Sequence, residues 1–144
     1  MVHVRTDPRA TAFPAAFGNP ALEATIWGWE ADPDGDGLTN EQEDALGTNM
    51  AVAGDFSDAF SFRRVMFGGV EGVEVSYRKR NNDPSIDYTP EGTPDLNGWF
   101  SGLGHFEQTS AVPDSLPGFT RIRTFSHDSV PFRYFFVRLH IRRN

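Results

Sequence analysis

The chain has 144 residues, 38% of them hydrophobic, with 13 Phe, 14 Gly, 10 Pro, no Cys and a formal net charge of −7. This is enough chain for one domain with a real core, too rich in turn formers for a helical bundle, and without thiols for a disulfide scaffold or a thiolate metal site. No stretch approaches the roughly 20 apolar residues of a membrane helix, so no membrane span is expected.

The charge is uneven. Residues 1–60 carry eleven acidic side chains against Arg5 and Arg9, while residues 119–144 carry six arginines and one aspartate. The basic end reads as solvated strand faces, and no nucleic-acid partner is expected. At the N-terminus, Asp7, Pro8 and Arg9 fall where the apolar run of a signal peptide should be. The chain is therefore either cytoplasmic or a piece of a longer exported one.

Residues 1–18 show no periodicity and read as a flexible leader. Residues 19–50 read as a helix–loop–helix. In "NPALEATIWGWE", Asn19 can cap, Pro20 suits the first helical position, and Leu22, Ile26 and Trp29 share a face, so a short helix is predicted there. "TNEQEDALG" predicts a second short helix. Thr39 and Gln42 fit a capping box, Glu41, Glu43 and Asp44 favour the positive end of the helix dipole, and Gly47 is the stop.

Residues 56–144 change to a period of two. "VEVSYRKR" (73–80) and "FFVRLHIRR" (135–143) alternate apolar and polar residues, and each predicts a strand with one buried and one wet face. Weaker strand patterns span 59–67, 86–89 and 119–125. Clusters such as "RNNDPS" and "PEGTPDLNG" read as turns. The fold class expected is mainly β: a small antiparallel β-sandwich preceded by a short helix–calcium loop–helix.

Between the two predicted helices lies "DPDGDGLTNEQE", residues 32–43. Carboxylates packed this closely repel unless a cation sits among them. A twelve-residue calcium loop supplies oxygens at positions 1, 3, 5, 7, 9 and 12, with Gly at 6 for the sharp turn. Here those ligands are Asp32, Asp34, Asp36, the Leu38 carbonyl, Asn40 (directly or through a water) and Glu43, and Gly37 sits at position 6. Magnesium prefers a rigid octahedron and zinc prefers His or Cys, so calcium is the cofactor expected. The competing interpretation is a solvated Asp–Gly turn.

From Asp32 to Thr48 the residues resemble the bacterial thrombospondin type-3 calcium repeat, an EF-hand-like motif. The likeness departs at Asn49-Met50, where that repeat has Asp-Pro. A single such loop, with Thr39 at position 8, does not suit a paired calcium sensor. The resemblance implies a calcium-stiffened spacer in a secreted or cell-surface bacterial protein, with other domains of a larger exported chain as partners. A second likeness covers about residues 60–143. Phe62-Arg63-Arg64, Val73-Glu74-Val75-Ser76, Asp95-Leu96-Asn97-Gly98-Trp99 and Tyr134-Phe135-Phe136-Val137-Arg138-Leu139 are similar to motifs of a C-terminal β-domain in exported proteins of Verrucomicrobia and Planctomycetes. That likeness implies no catalytic role.

Other side chains were weighed as sites. His127-Asp128 with a nearby Ser is a chance pairing without a nucleophile elbow, and His105 and His140 add no further motif. Glu91 and Asp95 form a carboxylate pair without the rest of a glycosidase site. Trp27, Trp29, Trp99 and Phe100 could stack on sugar rings, which makes a carbohydrate- or surface-ligand-binding module the alternative function. Their structural roles would be to cover the calcium loop (Trp27 or Trp29) and to anchor a loop (Trp99). The chain is expected not to be an enzyme.

Overall fold

The computed structural model describes residues 7–54, 58–102, 105–127 and 136–144. The chain divides into two compact units, Met1–Phe56 and Ser57–Asn144.

The first unit is mostly short turns around a small core. Helix α1 (Pro8–Ala12) is capped by Asp7, whose side chain accepts from the Arg9 N–H. Phe13 and Ala16 then turn inward and pack with Met50, flanked by Ala12, Leu22, Ile26 and Trp27. Residues 8–18 are thus a packed part of this unit, which corrects the expected leader over that range. Met50 supplies an apolar side chain to this core.

The helix expected from Asn19 is also corrected. Asn19 does cap, accepting from the Ala21 N–H at 3.0 Å, but the turns that follow are a 3-10 segment, Pro20–Leu22, and a π segment, Glu23–Trp27. Gly28 ends it by donating to the Glu23 carbonyl at 2.7 Å. A Cβ at Gly28 would lie 2.5 Å from that oxygen, so only glycine fits. Helix α2 (Asn40–Leu46) has the expected Thr39–Gln42 capping box and ends at Gly47 in the left-handed region.

The second unit is mainly β, with six antiparallel strands in two sheets among the described residues. The strands are β1 (Phe60–Phe67), β2 (Val70–Arg80), β3 (Ile86–Thr93), β4 (Glu107–Pro113), β5 (Phe119–His127) and β6 (Phe136–Arg143). One sheet runs β1-β2-β5-β4 and the other pairs β3 with β6. Gly68 and Gly69 both take positive φ in the tight β1–β2 turn, the geometry a two-residue hairpin needs. After β2 the chain crosses to the second sheet, returns for β4 and β5, then crosses again for β6.

Val75, Tyr77, Ile86, Phe106, Phe119, Ile122, Phe125 and Ile141 are buried. Tyr77 of β2 stacks on Tyr88 of β3 at 5.7 Å between ring centroids, and the Tyr88 hydroxyl accepts from the Arg80 N–H at 3.0 Å. These contacts join the two sheets. Strand β3 runs on through Pro90 to Thr93, where a turn was expected. The missing N–H of Pro90 is tolerated because this residue has a ladder partner, Leu139, on one side only. Strand β4 was not foreseen at all. As an edge strand burying little, "EQTSAVP" carries no apolar alternation. Phe135 and Asp128, invoked in the sequence reading, lie outside the described residues.

Candidate metal centre

The loop is assembled by its own backbone. Asp32 accepts from the Gly35 N–H through Oδ1 (3.1 Å) and from the Gly37 N–H through Oδ2 (3.0 Å). Asp34 Oδ1 accepts from the Asp36 N–H at 3.4 Å, and Asp36 Oδ1 from the Leu38 N–H at 2.9 Å. Gly37 has φ +92°, so the sharp turn requires glycine at that position. The mouth of the loop is closed by the Asn40 N–H donating to the Ala31 carbonyl (2.8 Å) and the Glu41 N–H to the Trp29 carbonyl (2.9 Å). The result brings one oxygen each from Asp32, Asp34 and Asp36 within 4.8 Å of one another.

Glu43 stands beside this group on α2: its side chain is fully buried, and its carboxyl interacts with that of Asp36. Two ionised carboxyl groups this close repel, and a cation placed between them relieves that repulsion. Burial disfavours the charged form of Asp36, but the N–H groups of Leu38 and Gly54 and the contacts with Glu43 and Asp34 outweigh it, so its carboxyl sits below the ordinary range. Asp34 is pushed the other way, first by burial, then by its contact with Asp32 and the charges of Asp36 and Asp32. Its Oδ2 is buried and has no hydrogen-bond partner. A divalent cation would relieve both the repulsion and that orphaned oxygen.

All donors here are oxygens, which fits a hard cation. Leu38 is held at the cluster through its N–H. Asn40 has a different visible job: its side-chain N–H groups donate to the carbonyls of Ile26 (2.8 Å) and Gly28 (2.9 Å), tying α2 to the preceding π segment. Its Oδ1 is buried without a hydrogen-bond partner. Sequence reasoning missed a link to the chain beyond α2. Asp36 Oδ2 accepts from the Gly54 N–H at 3.3 Å. Nothing local signals that contact, which spans 18 residues.

No known protein family matches the chain, and no curated protein or solved structure is similar to it.

The aromatic residues have structural partners. The Arg9 guanidinium lies 4.2 Å from the Trp29 ring, 5.4 Å from Trp27 and 5.5 Å from Phe17. Trp27 also donates its indole N–H to the Asn19 carbonyl at 2.8 Å. Both tryptophans therefore bracket an arginine of the supposed leader. Trp99 lies under the Arg138 guanidinium at 3.9 Å, and the adjacent Phe100 bridges to Gly92, which is the anchoring role expected for Trp99. Asp44 is buried, not an exposed charge of the first helical turn. Among the described residues no helix is long and apolar enough to cross a membrane.

Proposed function

We propose that the chain is a non-catalytic, calcium-binding structural module of an exported bacterial protein, of the thrombospondin type-3 kind. Calcium sits among Asp32, Asp34 and Asp36, with Glu43 beside Asp36, and neutralises their mutual repulsion. It thereby stiffens the segment from Ala31 to Gly54 that leads into the β-unit. The observation that carries this reading is the convergence of three loop aspartates, one of which interacts with the fully buried Glu43. The Asp36–Gly54 hydrogen bond supports the stiffening role, because the linker is attached to a ligand of the ion.

Calorimetric titration of chelator-treated protein with calcium tests it. One site is expected, filled by calcium in preference to magnesium. Two sites, or no heat at millimolar calcium, would overturn the reading. A stacking role of the tryptophans toward sugar is not favoured, since an arginine occupies the rings of Trp27, Trp29 and Trp99.

A further inference from the structure

Strands β3 and β6 build a polar cleft of about 360 Å³ that borders Tyr77 and Lys79 of β2. This volume lies within the range of small-molecule sites, roughly 300–1,000 Å³. Its wall is a ladder. Asp87, Thr89 and Glu91 occupy alternate positions of β3, roughly 6–7 Å apart, and so share one face. In the antiparallel register they stand opposite Arg142, His140 and Arg138 of β6. Asp87 meets Arg142 at 3.6 Å, and Glu91 meets Arg138 at 2.8 Å and His140 at 3.8 Å. Acceptors and donors therefore alternate along and across the cleft, held in place by their own ion pairs.

Three lining groups remain available. Lys79 is exposed and has no ion pair among the described residues. The Tyr77 and Thr89 hydroxyls make no hydrogen bond with a described residue. Two lining cations, Lys79 and Arg142, face two lining carboxylates, Asp87 and Glu91, so the cleft selects neither an anion nor a cation. Paired carboxylate and cationic groups suit vicinal hydroxyls, because one hydroxyl can donate to the acid while its neighbour accepts from the base.

We propose that this cleft binds a neutral sugar, with Asp87 and Glu91 accepting from ring hydroxyls and Lys79 and Thr89 hydrogen-bonding the adjacent ones. The site lies in the β-unit and uses neither the aspartate loop nor the tryptophan faces.

The test is a backbone amide NMR titration with maltose, cellobiose and lactose, with glucuronate as an anionic comparator. At least one neutral disaccharide should shift amides confined to β3, β6 and residues 77–79. Thr89→Val and Lys79→Met should each weaken binding roughly three- to ten-fold, the loss of one hydrogen bond. Thr89→Val keeps the branched shape of the strand residue, and an unchanged amide spectrum would show that the fold is retained. The proposal is overturned if no neutral disaccharide shifts these residues. It is equally overturned if glucuronate alone does, if the shifts map elsewhere, or if both variants bind as the parent does.

Discussion

At the residue scale, position within the loop matters more than charge. Asp36 is within reach of Asp34 and Glu43 and is held by the N–H groups of Leu38 and Gly54. Asp36→Ala should weaken calcium binding by roughly 10–100-fold or more. Glu30 is exposed in the same acidic unit, and Glu30→Gln should change affinity little, since only the screened field is altered. Equal losses would mean a diffuse acidic patch instead of a coordinated ion.

A second carboxylate sets acid stability. The Asp114 side chain is only 4% exposed, and its two oxygens are taken by Arg78 at 3.0 Å and Arg121 at 2.9 Å. Burial opposes its charge, but the Leu116 N–H and the two guanidinium groups win, so its carboxyl is held below the ordinary range. A depressed folded-state value means the contribution is present above the unfolded value, about 3.9. It is lost as pH falls through the folded value. Asp114→Asn should destabilise the β-unit by on the order of 3 kcal/mol at neutral pH. The variant's stability should also fall less steeply than the parent's below about pH 4, as measured by urea unfolding across that range.

At the scale of elements, α2 couples its cap to the candidate metal site. Thr39 accepts from the Gln42 N–H at 3.3 Å, and the Gln42 side chain accepts from the Thr39 N–H at 2.9 Å. Glu43 follows one residue later, so the cap fixes the helix start that aims it. Thr39→Ala should cost about 1 kcal/mol, which is roughly a five-fold loss of calcium affinity if the helix forms only on binding. In the β-unit, β2 packs against β5 where Gly72 leaves room. A Cβ there would lie 2.2 Å from the Ser126 carbonyl and 2.6 Å from the Phe125 ring. Gly72→Ala should therefore destabilise that unit by about 1–3 kcal/mol in thermal unfolding, with calcium binding preserved.

For the whole molecule, the two units have separate resources. Among its described residues the first buries only a few apolar side chains, Phe13, Ala16, Ala31, Ala45, Leu46 and Met50, and its α-helices are 5 and 7 residues long. Helices this short do not persist in water alone. The second buries eight large apolar side chains among its described residues and contains no predicted metal ligand. Chelation should thus abolish hydrogen-exchange protection from about Trp27 to Gly47 while β2, β5 and β6 stay protected. Loss of protection in those strands as well would make the loop part of the folding core.

What the sequence determined by itself was local. The clustering of Asp32, Asp34 and Asp36, the Thr39 cap, the Gly47 stop and the alternation of β2 and β6 rest on hydrogen bonds and periodicities that span a few residues, and such signals are written in neighbouring positions. Only the tertiary structure decided the rest. It chose π over α geometry before the loop, placed Met50 and the supposed leader in one core, and put an arginine against each indole. It also joined Asp36 to Gly54, carried β3 through Pro90 and added β4 at an edge. Each of these depends on a partner distant in the chain, and packing against that partner outweighs what the local residues prefer.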